Sequence, residues 1–332
     1  MVFIGGQFPE TMQRETVFMT MKHYLAVEIG GTKLQVALGD GAGLIEERWR
    51  AEVRPEWGGE GIREQLAKII EEVLVSREIN AVGVGFGGPV DWGAGTICCS
   101  HQIRGWSEFP LADWIRERTG VRVFVENDAN VAALGEALNG AGKGMDPVFY
   151  TTLGSGVGGG LVVRGRIYHG ARPGESEIGH LRLDRAGAIV ESRCSGWAVD
   201  ARIRDEIRRN PTSLLSEMCR GMERGEARHL GLAVEAGDQL ACSILKDTAE
   251  DLAFALSHVI HLMHPSVLVV GGGLSLLGEP LRDKIARALP CYVMEAMHPV
   301  PEVRLAALGE DSVPVGALLL AASGGGRDLD AS

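Results

Sequence analysis

The order of apolar runs predicts an α/β protein built from a duplicated unit, with a hinge near residue 140 and a cleft between the copies. Three observations carry that prediction. From His23 the chain reads strand, strand, strand, helix, strand; a second round of paired strands followed by helices begins at Val148; and glycines gather where apolar runs end, marking turns with close backbone approach. At 332 residues the chain also exceeds the usual size of a single core, so two domains are expected.

In the first unit Tyr24 to Ile29 is strand-like, Gly30-Gly31-Thr32 turns the chain, Leu34, Val36 and Leu38 alternate, and Leu44 to Val53 supplies a third strand. Ile62, Leu66, Ile69, Ile70, Val73 and Leu74 fall at helical spacing, and Ala81 to Phe86 reads as a buried strand. Leu111 to Thr119 is a helix stopped by Gly120. Val121 to Val125 is a short strand delivering Glu126-Asn127-Asp128 at its carboxyl end, and Ala129 to Leu138 resumes helical composition. Strand ends that open into helices are where open α/β sheets bind ligands.

In the second unit strands flank Gly154 to Gly160, and helices follow near Trp197 to Arg208 and Ser213 to Arg220. A long helix from about Leu240 to Met263 is stopped by His264-Pro265, and Val267 to Val270 is a last core strand ending in Gly271-Gly272-Gly273. The expected division is a loosely ordered extension (1–20, with Met19 or Met21 as alternative starts), a smaller α/β domain (21–140 plus 308–323), a larger one (141–307) and a disordered tail (324–332).

Composition narrows the function classes. With 45% hydrophobic and 23% charged residues, and no apolar run approaching the ~18 residues of a membrane span, the chain reads as soluble, with no membrane partner. A formal charge of −11 without clustered Lys and Arg disfavours a nucleic-acid surface. Six cysteines without C-x-x-C spacing point to a reducing cytoplasm, and Glu10, Arg14 and Glu15 interrupt any secretory signal. Trp57, Trp92, Trp106 and Trp114 are read as core filling in preference to carbohydrate stacking.

Two glycine-rich segments, Glu28-Ile29-Gly30-Gly31-Thr32-Lys33 and Leu153 to Gly160, bracket Glu126-Asn127-Asp128 in the chain. Bare backbone amides at strand-to-turn junctions close on phosphate oxygens where a Cβ would collide, so the trio reads as a phosphate clamp around a catalytic base, and kinase chemistry leads. Singly each glycine segment could be a hairpin turn; joined by Gly271 to Gly273 they favour a nucleotide. Asp128 reads as a general base or as the N-cap of the next helix, and Asn127 offers an amide for a hydroxyl. Glu177 and His180, three apart, could bond hydroxyls or each other.

These motifs, in this order, resemble the ROK family of sugar kinases and repressors, within the actin, Hsp70 and sugar-kinase superfamily. The likeness runs from about Tyr24 to Ala322. The family's D-I-G-G-T-K appears as Glu28 to Lys33, its E-N-D-A-N as Glu126 to Asn130, its second phosphate loop as Gly154 to Gly160, its G-E-I-G-H as Ser176 to His180, and its adenosine motif as Val269 to Gly273. The resemblance implies duplicated ribonuclease-H-like (actin-like ATPase) domains with an inter-domain cleft. It implies an ATP- and Mg²⁺-dependent kinase that phosphorylates a hexose or hexose derivative, glucokinase-like by default or akin to N-acylhexosamine kinases, with Asp128 as general base. Gly88, Gln102, Asn127, Asp128, Glu177, His180 and Glu191 would contact the sugar. Gly30, Gly31, Thr32, Lys33, Gly154, Gly156, Gly158, Gly159, Gly272 and Gly273 would hold the nucleotide, and Glu28 the metal. A homodimer formed by the larger domain is also implied.

Three departures qualify the likeness. Glu28 stands where the family has Asp, one methylene longer toward an octahedral Mg²⁺. Gln102 replaces a sugar-binding Asn, which leaves the identity of the sugar open. After His180 the family carries a C-x-C-G-x-x-G-C zinc segment, whereas Arg182 to Ser192 contains no cysteine, and Cys194 alone cannot rebuild a tetrahedral site. No zinc is therefore expected, and packing or hydrogen bonds must hold that loop. The alternatives are a catalytically weak sugar-binding regulator and a sugar-sensing repressor, although about 20 residues before Tyr24 are too few for a helix-turn-helix.

Overall fold

The computed structural model describes residues 22–31, 33–100, 103–172 and 176–325. The expected extension 1–20 and the tail beyond Gly325 lie outside the described residues, as do the candidate ligands Thr32 and Gln102. The first half holds β1 (His23–Ile29), β2 (Lys33–Asp40), β3 (Ile45–Glu52), α1 (Gly58–Ser76), β4 (Ala81–Phe86), β5 (Val90–Asp91), β6 (Thr96–Ile97), α2 (Leu111–Thr119), β7 (Arg122–Asn127) and α3 (Asp128–Asn139). The second holds β8 (Val148–Leu153), β9 (Val157–Val163), β10 (Arg166–Ile167), α4 (Glu191–Cys194), α5 (Gly196–Arg209), α6 (Leu214–Met218), α7 (Leu230–Glu235), α8 (Gln239–Met263), β11 (Val267–Gly271), α9 (Glu279–Ala288), β12 (Glu302–Leu305) and α10 (Ser312–Ala322).

The two large sheets share one topology. Strand order is β3-β2-β1-β4-β7 in the first and β10-β9-β8-β11-β12 in the second. Each is an antiparallel meander extended by two parallel strands, the duplication the sequence order predicts. Central strands are apolar throughout because both faces are covered, as in β4, where all six residues are buried. The edge strand β3 alternates charged and apolar residues from Arg48 to Glu52.

Helix boundaries follow local chemistry. α2 ends at Gly120 in the left-handed region (φ 70°), and Asp238 caps α8 by accepting from the Ala241 amide at 2.8 Å. α1 turns Ile62, Leu66, Ile70 and Val73 toward the first sheet, where they join Leu25, Val27 and Val84 in one core. The opposite face of that sheet meets α10 and α3, and α3 in turn covers β8 and β9. A shared core of Ala26, Val131, Ala133, Tyr150, Val267 and Leu318 thus joins the two sheets.

Buried Glu136 on α3 fastens this layer: it accepts from the amides of Ala141, Ala307 and Leu308 and from the Ser312 hydroxyl, all within 3.0 Å. The tryptophan expectation holds in part. Trp106 is buried in the first core, but Trp57 is 52% exposed beside Arg54, and Trp92 stacks on His169.

Candidate active site

Parallel pairing aligns Ile29 with Phe86 and Phe86 with Asn127, so the segments leaving β1, β4 and β7 emerge side by side at one sheet edge. Gly30-Gly31, Gly87-Gly88 and Asp128 therefore converge. The Gly87 amide donates to the Ile29 carbonyl at 2.8 Å, and a Cβ on Gly87 would lie 3.3 Å from Asp128 Oδ2. Glycine there keeps the turn against the carboxylate without crowding it.

The cap of α3 is not Asp128. Asn127 is the cap: its Oδ1 accepts from the amides of Ala129 (2.9 Å) and Asn130 (3.3 Å), and its Nδ2 donates to the Gly88 carbonyl at 3.3 Å. Asn127, expected to bind a hydroxyl, also holds the helix start and the Gly88 turn. Asp128, the first residue of α3, is spared from capping. Burial of its carboxyl, reinforced by the charge of Glu28 and by the more weakly acting Glu177, outweighs donation from the Ala129 and Asp128 amides and raises its pKa to about 7.

Glu28 closes β1 in different company. Lys33 Nζ lies 3.0 Å from Oε1, and Gln35 Nε2 donates to Oε2 at 3.1 Å. Gln35 is fully buried and is oriented by Arg50 at 2.8 Å. Burial raises the Glu28 pKa, and Lys33 opposes that shift. Lys33, expected to face phosphate, here pairs with Glu28.

Across the molecule, the turn Gly154 to Gly156 connects β8 and β9. The Gly154 carbonyl accepts from the Gly196 amide at 2.7 Å, bringing the start of α5 to the turn. Gly272 adopts φ 80°, and a Cβ there would fall 2.5 Å from the Leu153 amide nitrogen. Gly271 to Gly273 therefore nests on the end of β8, beside the second glycine turn. Gly158 and Gly159, expected in the phosphate loop, instead lie within β9: Gly158 packs on Ala129 of α3, and Gly159 on the Ser176 carbonyl and Ile178.

Glu177 and His180 flank a helical turn in which Ile178 and Gly179 are buried and the two polar side chains exposed. Glu191, the first residue of α4, accepts from the Val157 amide through Oε2 at 2.9 Å, a contact that sequence spacing did not suggest. Between His180 and Glu191 the chain forms a small hairpin. Arg182 bridges Ile189, the Leu183 amide donates to the Ala188 carbonyl, and Asp184 accepts from the amides of Gly187 (2.8 Å) and Ala188 (3.1 Å). Those amides, Ala188 foremost, hold the Asp184 carboxyl below its usual range.

Cys194 is fully buried against Thr248, and burial pushes its thiol up. Among the described residues no group of three or more His, Cys, Asp or Glu has metal-site geometry, and the stretch from Arg182 to Ser192 carries no thiolate for zinc.

Two residues that the sequence reading passed over belong to the site's surroundings: Gly87, and His169, whose Nε2 bonds Glu126 Oε2. Gly87 opens the Gly87-Gly88-Pro89 run that follows β4. No spacing signal connects His169 to Glu126, 43 positions away.

Residues 24–323 match the ROK family. A glucokinase of Thermotoga maritima is 32% identical over 305 residues, covering 88% of this chain and 95% of that protein. A glucokinase of Halalkalibacterium halodurans is 31% identical over 312 residues, covering 90% and 94%. The crystal structure of a ROK family glucokinase from Streptomyces griseus, in complex with glucose and AMPPNP, superposes with a TM-score of 0.78 at 30% identity, covering 90% of this chain and 99% of the other.

Proposed function

The chain belongs to the ROK family and is an ATP-dependent sugar kinase with the actin-like two-sheet fold, and we propose that Asp128 is its general base and glucose, or a close hexose relative, its acceptor. One observation carries the assignment. Asp128 is a carboxyl at the carboxyl edge of the first sheet, relieved of capping by Asn127 and poised near neutrality.

As the acceptor hydroxyl attacks the γ-phosphorus, Asp128 takes its proton and ADP departs. Glu177, His180 and the carbonyl of Gly88 orient the sugar. Glu191 contributes Oε1, since Oε2 is held by Val157. Gly30-Gly31 and Gly154 to Gly156 face the phosphates, and Gly271 to Gly273 the nucleoside.

When bound, Mg²⁺ would supply charge neutralisation to the transferring phosphoryl group. The residues fit such an ion: the Glu28 and Asp128 carboxyls are both raised above their ordinary values, and the charge of Glu28 contributes to the Asp128 shift, a repulsion that a nearby cation would relieve. Glu28 would hold it directly or through water. Closure of the two halves would exclude water from the site.

The proposed assembly is a homodimer, supported by the apolar side chains of Tyr168, Leu262 and Met263, which are 52%, 76% and 45% exposed along one groove of ≈ 390 Å³ beside α8. Light scattering on Leu262→Glu checks it, and an unchanged mass would contradict it. No helix among the described residues is long and apolar enough to cross a membrane. The proposed compartment is the cytoplasm, supported by Cys99, Cys194, Cys219, Cys242 and Cys291, which form no disulfide.

An ADP-release assay over hexoses, hexosamines and cyclitols tests the central reading. Turnover should be highest with glucose or a close relative, whereas ATP binding without turnover on any sugar would leave a sugar-binding regulator.

A further inference from the structure

Glu126 opens the segment that carries the base, yet the reaction above gives it no role. It is 3% exposed, and a buried carboxylate needs donors on both oxygens. Oε1 accepts from the Asn127 amide at 2.9 Å and from Asn130 Nδ2 at 3.0 Å. Oε2 is bonded to His169 Nε2, from the segment that follows β10. The His169 ring stacks on the indole of Trp92, with centroids 4.1 Å apart and planes 23° apart. Trp92 follows β5 in the first half of the chain, and Arg172 lies over the same indole at 4.5 Å. A continuous path therefore runs from Trp92 through His169 and Glu126 to the backbone of Asn127.

That path ends on the base. Glu126 fixes the Asn127 amide, Asn127 caps α3 through Ala129 and Asn130, and Asp128 is the first residue of that helix. Rotation of Glu126 would turn the peptide that aims Asp128. We propose that His169 is a positioning residue for the kinase reaction: by supplying the donor to Glu126 that the strand end cannot, and by stacking on Trp92, it holds the start of α3 in the orientation that points Asp128 at the acceptor hydroxyl. Because Trp92 and His169 come from different halves of the chain, base alignment is tied to how the halves sit together. The effect on turnover rests on Asp128 being the base; the effect on the backbone does not.

Two substitutions separate the interactions. His169→Phe keeps a ring against Trp92 and removes the donor, while His169→Gln keeps an amide donor and removes the ring. For His169→Phe, kcat should fall about tenfold to a hundredfold, with KM for sugar and for ATP changing less than about threefold. His169→Gln should recover most of kcat. Hydrogen exchange at the amides of Asn127, Ala129 and Asn130 should quicken at least about tenfold in His169→Phe and stay near wild type in His169→Gln. Glu126→Gln, which keeps the side-chain volume, should reproduce the His169→Phe pattern if the latter folds poorly.

Wild-type kcat and exchange in His169→Phe, or equal impairment of both His169 variants, would overturn the proposal. Full turnover in Asp128→Asn would defeat the base assignment alone, leaving the exchange measurements to decide on His169.

Discussion

Glu28 and Asp128 sit at the ends of β1 and β7, the two strands that flank β4 in one sheet, and their partners divide their labour. Glu28 closes β1 with Lys33 at 3.0 Å and Gln35 at 3.1 Å. Asp128 follows β7 with its capping duty taken by Asn127, and among the described ion pairs no cation joins it. One carboxylate is braced by a positive charge, which suits a fixed electrostatic role toward a metal-bound nucleotide. The other is left to titrate near neutrality, which suits a base. Depth in the fold does not separate them; the side chains within bonding distance do.

The largest expected effect comes from removing the titrating member. Asp128→Asn should lower kcat by about 10² to 10⁴ while leaving ATP binding nearly intact, measured by steady-state kinetics and nucleotide titration. Glu28→Gln should be milder, about tenfold in kcat with a raised Mg²⁺ requirement, followed in a metal titration of turnover. If Glu28→Gln proves the more damaging, the division of roles is reversed.

Stability gives a third probe with a definite sign. Because the folded pKa of Asp128, about 7, lies above the ordinary aspartate value of 3.8, the wild-type chain loses stability as pH rises from about 4 through about 7. Asp128→Asn should therefore raise Tm at pH 8 by at least about 2 °C and leave it nearly unchanged at pH 4, by scanning calorimetry. The smallest effect is expected at the hairpin after His180. Asp184→Ala should raise KM for sugar about threefold to tenfold without altering KM for ATP, and a zinc chelator should leave the wild-type Tm in place. Loss of structure on chelation would contradict the metal-free bracing by Asp184.

Much of this arrangement was legible in the sequence because it rests on local signals. Periodicity and stop residues locate α2 and α8 to within a residue or two, and the glycine segments mark three of the turns that meet the strand ends. α10 escaped because Ser312–Ala322 is apolar on every side, as a helix sandwiched between β-sheet and α3 must be, and so shows no amphipathic period. Asn127 and Asp128 are both good caps, and only the backbone angles decide which one serves. The missing cysteines showed that no thiolate set could brace the hairpin, but Asp184 as the brace needed the turn's geometry. The contact between His169 and Glu126 depends on bringing two distant segments together, and nothing in either segment announces it.

The acid limb of the pH profile for kcat/KM, compared between the wild-type enzyme and Glu28→Gln, tests the central claim most directly. Activity should rise through a limb near pH 7 in the wild type, and removing the Glu28 charge should move that limb to lower pH. A limb at the ordinary aspartate range in both enzymes would mean that Asp128 does not feel its neighbour and is not the poised base.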